Sequence, residues 1–272
     1  MPVSTSERAP NELEVTLLGT GTSQGVPVIG CPCPVCHSAD PRDQRLRTAA
    51  LLRFGQQAIA IDCGPDFRQQ MLRSKVQSLD AILFTHEHND HIIGLDDVRP
   101  FNFQRRADMP VYCTPQVGRE LRQRFAYVFA LENRYPGAPM VHQHFISKDA
   151  PFEVCGLEIV PVEVLHGTLP VLGFRIGDFA YLTDVKTISE PELDKVLGVR
   201  YLVLNALHHK AHITHLNLEE ALALIERIQP EQAFLTHISH SMGRYAEMQP
   251  LLPPNVALGY DGLSFKAAYQ PS

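Results

Sequence analysis

No apolar run in the chain approaches the ~20 residues that a membrane-spanning helix needs. Residues Met1–Pro10 are polar and lack the apolar heart of a secretion signal. Residues 1–11 read as frayed, no membrane partner is expected, and the cytoplasm is the expected location. Positive charge is scarce as well: 24 Lys and Arg stand against 30 Asp and Glu, a net charge of −6 with neutral histidines. That balance gives no global basic field for nucleic acid. Linkers and low-complexity stretches are lacking, so residues 1–272 read as one α/β domain. With 44% apolar and 20% charged residues, the chain can bury a sizeable core. A disulfide framework is disfavoured, because three of the six cysteines crowd at positions 31, 33 and 36 in a chain without a secretion signal. Cys63, Cys113 and Cys155 are scattered in apolar surroundings and read as small buried hydrophobes.

What the chain does have is Thr85-His86-Glu87-His88-Asn89-Asp90-His91. The apolar run Ala81–Phe84 just upstream reads as a buried strand, and Ile92–Leu95 downstream as a helix beginning. The cluster therefore sits on a strand-to-helix loop, a common place for functional side chains. Strand alternation sends His86 and His88 to the same side, while Asp90 and His91 follow on the turn. Imidazoles and carboxylates at this density point to metal, with room for two adjacent ions.

Other strands are expected at Leu13–Leu18, Thr48–Phe54, Gln57–Ile61, Pro110–Cys113, Leu157–Val164, Val171–Ile176, Phe179–Thr183, Tyr201–Leu204, Gln232–Leu235, Val256–Tyr260 and Leu263–Phe265. Apolar spacing predicts helices over Gln116–Phe129, Glu190–Leu197 and Leu218–Ile228. Arg119, Arg122 and Arg124 read as a solvated helix face. The stretch Asn133–Phe145 reads as a loop able to fold over the site. Gly19-Thr20-Gly21-Thr22-Ser23-Gln24-Gly25 has the wrong spacing for a dinucleotide fingerprint and reads as a tight turn. Residues 31–41 form a Pro- and Cys-rich loop. Cys31, Cys33 and Cys36 supply three thiolates, and zinc wants a fourth ligand. His37 is adjacent but poorly placed; His240, in Thr236-His237-Ile238-Ser239-His240, is the better candidate.

His-x-His-x-Asp-His after an apolar strand resembles the signature of the metallo-β-lactamase superfamily. The resemblance implies an αββα four-layer sandwich with metals at one edge of two sheets. His166, Asp184 and His237 each follow a predicted strand, and their order matches the superfamily. It implies His86, His88 and His166 on one metal, Asp90, His91 and His237 on the other, and Asp184 bridging. Asp80 matches the acidic residue before the metal strand and is expected to brace the loop through hydrogen bonds. With the Cys loop and Thr-His-Ile-Ser-His, the chain is similar to the PhnP-type phosphodiesterases accessory to the carbon–phosphorus lyase pathway. That likeness runs from Gly19 to Gly262.

The family resemblance implies hydrolysis of cyclic phosphates, of the 5-phosphoribosyl 1,2-cyclic phosphate or 2′,3′-cyclic nucleotide type. Two divalent ions (Zn²⁺, Mn²⁺ or Fe²⁺) ~3.5–4 Å apart would hold a bridging hydroxide that attacks phosphorus. His215 matches the catalytic histidine that protonates the leaving oxygen, and Asp90 belongs to the same machinery. One structural Zn²⁺ would tie the Cys loop to His240. His208, His209 and His212 either contact phosphate or are simply exposed. A small phosphodiester is the expected partner, nucleic acid is not, and the resemblance implies a homodimer. Three other readings remain open. A tRNA 3′-end endonuclease would need a long arm, for which His166 and Asp184 are too close. An ester, thioester or lactone hydrolase could use the same metals. A catalytically silent protein resembling the pyrroloquinoline quinone B protein would need ligands to be missing.

Overall fold

The computed structural model describes residues 12–130, 132 and 135–269; residues 1–11 lie outside them. Two sheets make the centre of the molecule. The first has seven strands in the order Ser264–Ala268, Glu12–Gly19, Ala49–Phe54, Gln57–Ile61, Ala81–Leu83, Met109–Cys113 and Val141–Phe145. The second has eight; seven run Thr187–Ile188, Leu157–His166, Leu169–Ile176, Phe179–Leu182, Tyr201–Asn205, Gln232–Thr236 and Val256–Leu258, and Phe152–Val154 pairs onto Leu157–Ile159.

Two-residue alternation sorts the side chains into layers. Leu13, Val15, Leu17, Leu52, Ile59 and Ile61 face the second sheet, where they meet Phe174, Ile176, Phe179, Tyr181 and Val203. Their neighbours Leu18, Leu51, Ala58 and Ala60 face outward, beneath a helical layer that supplies Phe67, Met71, Phe101, Val117 and Leu121. On the far side, Val162, Val164, Leu182, Leu202, Leu204 and Leu235 face a second helical layer carrying Leu193, Leu224, Ile225 and Ile228. Strands that bury both faces need a helix on each side, and the result is the αββα sandwich expected from the resemblance.

The helix Leu218–Ile228 matches its apolar spacing end to end, because Asn217 and Glu220 close a reciprocal capping box at its start. The helix predicted over Gln116–Phe129 is shorter, Pro115–Arg124. Phe125 leaves helical geometry, yet Phe125 and Val128 stay buried, so their apolar spacing reports burial in a turn. The expected loop Asn133–Phe145 contains a strand: Val141–Phe145 pairs in parallel with Met109–Cys113 at the edge of the first sheet (residues 133 and 134 lie outside the described residues). Its His142, Gln143 and His144 hide the strand pattern, because an edge strand is not obliged to be apolar. The helix expected to begin at Ile92 starts earlier, at Asn89, and runs into a 3₁₀ stretch over Ile93–Val98. Among the described residues no helix is long and apolar enough to cross a membrane.

Candidate metal centre

Every donor expected at the centre lies just past the carboxyl end of a strand. His86 and His88 follow Ala81–Leu83, and Asp90 and His91 open the short helix Asn89–Ile92. His166 ends Leu157–His166, Asp184 follows Phe179–Leu182, and His237 follows Gln232–Thr236. The two sheets thus deliver ligands from both sides to one edge. The turns are sharp. Asp62, Asp184 and His237 adopt left-handed backbone, at φ 66°, 58° and 54°. Non-glycine residues pay for that conformation, and its concentration here marks a site held by its surroundings. Glycines permit the close approach of the supporting loops: a Cβ on Gly64 would collide with the Asp90 carbonyl, and one on Gly94 with the Gly64 carbonyl.

Three groups of donor atoms lie within 4.8 Å of one another: His86 with His91 and Asp184, Asp90 with His91 and His237, and His166 with Asp184 and His215. Asp184 and His91 are each shared, so the groups adjoin. His88 is exposed at the rim, its ring 4.6 Å from that of His86 and 5.2 Å from that of His166. The outer nitrogens are pinned. His91 Nδ1–H donates to Asp62 Oδ2 at 2.7 Å, and His166 Nδ1–H donates to the Thr214 carbonyl at 2.8 Å. Both partners only accept, so Nε2 of each ring is left to face the centre.

The inner nitrogens test whether metal fits. His86, His91 and His237 are each no more than 1% exposed, and their Nε2 atoms have no hydrogen-bond partner among the described residues. His91 Nε2 stands 3.3 Å from Asp90 Oδ2 and 3.4 Å from Asp184 Oδ2, and His237 Nε2 stands 3.3 Å from Asp184 Oδ1. Buried polar atoms left unpaired are costly, and a divalent cation would satisfy them all. Charge points the same way. Burial works against ionised Asp90 and Asp184, yet neighbouring imidazoles hold both carboxyls well below the usual range. Burial and the neighbouring His91 push His86 far down. For His91 burial is outweighed by Asp90, Asp184 and Asp62, which raise it. Buried carboxylates beside imidazole nitrogens that lack hydrogen-bond partners call for positive charge. The all-nitrogen-and-oxygen donor set suits Zn²⁺, Mn²⁺ or Fe²⁺.

A second cluster stands apart in chemistry. Cys31, Cys33 and Cys36 place their Sγ atoms 3.2, 3.4 and 3.5 Å from His240 Nδ1. Four donors converging on one point match the tetrahedral demand of zinc. The Cys36 N–H lowers Cys33 to about 6, while burial raises Cys36 to about 11. His240 follows His237 by three residues, and Ile238 between them pairs with Thr20 and Thr22 of the glycine loop.

The residue expected to brace the loop, Asp80, is not near the centre. It sits at the opposite end of its strand, accepting from the Ala58 N–H at 2.8 Å and pairing with Arg105 at 3.1 Å. Asp62 holds the bracing position instead: it accepts from His91 and from Thr85 N and Oγ1. An acid ending a strand before Gly-Pro was the available signal. Arg124, taken for a solvated residue, donates to the Glu87 carbonyl and, at 3.1 Å, to Asn89 Oδ1, which clamps the metal loop from the helix Pro115–Arg124. His215 lies where the resemblance put it, 8% exposed, its ring 4.3 Å from His166 and 4.7 Å from His237. Burial first, and then His237, lower it to about 3. His209 is exposed but tied through Nε2 to the Met242 carbonyl, whereas His208 and His212 are half-buried. Cys63 and Cys113 are buried as read, and Cys155 is half-buried.

Residues 57–238 match the family model described as the beta-lactamase superfamily domain. Together with the two-sheet fold, this places the chain in the metallo-β-lactamase superfamily. A crystal structure of a new diphosphatase from the PhnP family superposes with a TM-score of 0.89 at 38% identity, over 95% of this chain and 98% of that one. The chain therefore belongs to the PhnP family. Zn²⁺-bound PqqB from Methylobacterium extorquens shares the fold at a TM-score of 0.77 and 18% identity, over 93% of this chain and 99% of that one. In Porphyromonas gingivalis, a protein named octanoyltransferase is 43% identical over 249 residues, which make up 91% of this chain. This chain spans about half of that protein, 50% of its length.

Proposed function

We propose that the protein is a dinuclear-metal phosphohydrolase that opens cyclic phosphodiesters. The observation that carries the reading is the adjoining pair of buried donor groups with His215 beside them. Likeness to a PhnP-family diphosphatase over nearly the whole chain supports phosphorus as the centre attacked. His86, His88 and His166 would hold one ion, Asp90, His91 and His237 the other, and Asp184 both. Two divalent ions there would withdraw charge from the phosphoryl oxygens and acidify water. A further zinc on Cys31, Cys33, Cys36 and His240 would tie down the loop 31–41.

The chain's own groups then handle the proton. His215 enters neutral at pH 7, because burial and His237 lower it to about 3. It takes up the proton that water would release on being acidified there, and passes it to the oxygen leaving phosphorus as the new P–O bond forms and the old one breaks. Asp184 Oδ1 lies 3.7 Å from His215 Nδ1 and stabilises the transient imidazolium. Thr183 Oγ1 donates to Asp184 Oδ2 at 2.6 Å and holds that carboxylate still.

Phosphoanhydride cleavage is a second reading, favoured by the 38% identity to a PhnP-family diphosphatase. The transferase name belongs to a protein about twice as long, so acyl chemistry is kept as a test arm. The decisive assay compares 2′,3′-cyclic AMP, ADP-ribose and p-nitrophenyl octanoate on protein loaded with Mn²⁺ or Zn²⁺. Metal-dependent cleavage at phosphorus that is lost in His215→Ala is expected. Ester cleavage without phosphorus chemistry would overturn the reading.

A further inference from the structure

One buried carboxylate serves histidines in two different donor groups. Asp62 is fully buried just past the strand Gln57–Ile61, and each of its oxygens receives a donor. The Thr85 backbone N–H donates to Oδ1 at 2.9 Å, and His91 Nδ1–H donates to Oδ2 at 2.7 Å. The Thr85 hydroxyl reaches both oxygens, at 3.1 Å from Oδ1 and 2.9 Å from Oδ2. A carboxylate can only accept, so the hydroxyl proton is turned to Asp62.

What remains on Thr85 Oγ1 is a lone pair, and His86 Nδ1 lies 3.0 Å from it. That oxygen can only accept from the ring. His86 therefore carries its proton on Nδ1, and its buried Nε2 offers a lone pair to the centre. Thr85 itself is 1% exposed and held by both sheets. Its N–H is on Asp62 of the first, and its carbonyl accepts from Leu172 N–H of the second at 3.0 Å. The other two inner rings do not share this line. His166 Nδ1–H donates to the Thr214 carbonyl, and His237 Nδ1 has no partner among the described residues.

We propose that Thr85 is a positioning residue that links the two metal positions. Through its hydroxyl, a single carboxylate orients His86 on one ion and His91 on the other. This rests on the dinuclear reading above, in which those two histidines serve different ions. A hydrogen-bonded line shared by two sites makes their ligand geometry interdependent, so breaking it at one end is felt at the other.

Zinc affinities measured by chelator competition, with histidine ¹⁵N spectra of the zinc-loaded protein, test the link without turnover. Two zincs at the N/O donors and one on the cysteines are expected. In the spectra, His86 and His91 should both carry their protons on Nδ1. Thr85→Val should weaken one N/O zinc by about 10–100-fold and shift the Nδ1–H signals of both rings. Thr85→Ser keeps the hydroxyl and should restore affinity and spectra alike. Asp62→Asn should weaken both N/O zincs, and should cost less in the Thr85→Val background than in the unaltered protein. Unchanged affinity in Thr85→Val, an equal loss in Thr85→Ser, or strictly additive effects with Asp62→Asn overturns the proposal. Should Thr85→Val fail to fold, the unaltered protein still answers: a His86 proton on Nε2 overturns the proposal, and one on Nδ1 in slow exchange with water upholds it. Two N/O zincs that ignore Thr85 sink the link and leave the dinuclear reading standing. A single N/O zinc in the unaltered protein sinks the dinuclear reading, and the link with it.

Discussion

The two donor clusters are built in opposite ways. The Cys31–Cys33–Cys36–His240 cluster draws three of its four donors from six consecutive residues, all half-buried. The N/O centre draws its donors from four separate segments between His86 and His237, most of them buried and two on left-handed backbone. A local thiolate cluster can assemble wherever its loop lies, with His240 as the only long-range requirement. The N/O centre exists only after both sheets have folded. On the proposed function, one region is a tether and the other the place for chemistry. They are joined by the short path from His240 through Ile238 to His237.

The difference can be broken from either side. Asp184→Asn removes the carboxylate common to two donor groups; activity should fall by roughly 10³-fold or more. Metal analysis of that variant should still find the ion on the cysteines. Cys33→Ser should do the reverse. Zinc at the tether should be lost and the melting temperature lowered, while turnover at 25 °C should stay within about tenfold.

The tether should also respond to pH. The Cys33 thiol is lowered from its ordinary 9.0 to about 6, the Cys36 N–H being the main cause. A lowered thiol favours the folded, deprotonated form, so its stabilisation is full above 9 and is lost as pH falls through 6. Melting curves at pH 7.5 and 5, with and without chelator, should show the zinc-dependent increment shrinking on the acid side.

Asp62 and Asp80 sharpen the comparison within the N/O centre. Asp62→Asn should weaken metal affinity by about 10–100-fold, because His91 loses its acceptor. Asp80→Asn should leave metal affinity unchanged and lower only thermal stability. Equal effects on affinity would contradict the hydrogen bonds described. The smallest effect is expected at Arg124→Ala, where releasing the Glu87 carbonyl and Asn89 should cost a few-fold in kcat, roughly the worth of one positioning contact.

Much of the fold was legible because period and chemistry agreed. The alternation of Leu13, Val15 and Leu17 against Leu18, and the capped helix Leu218–Ile228, are local patterns. The edge strand Val141–Phe145 was not, since His142, Gln143 and His144 face no obligation to be apolar there. The donors were legible because each ends a strand. Asp62 was not picked out, because what distinguishes it from Asp80 is the end of the sheet at which it lies, and the Gly-Pro after it marks a turn without saying which end carries the donors.

Residue types and their spacing alone determined the donor inventory: His86, His88, Asp90 and His91 in one loop, and three thiols in another. Tertiary structure decided which acid braces His91, that Arg124 clamps the metal loop, and which nitrogen each ring turns inward. Those choices depend on acceptors such as the Thr214 carbonyl, 48 residues from His166, and Asp62, 29 residues from His91. A chain reveals its donors one by one; only the folded sheets bring each donor to the acceptor that orients it.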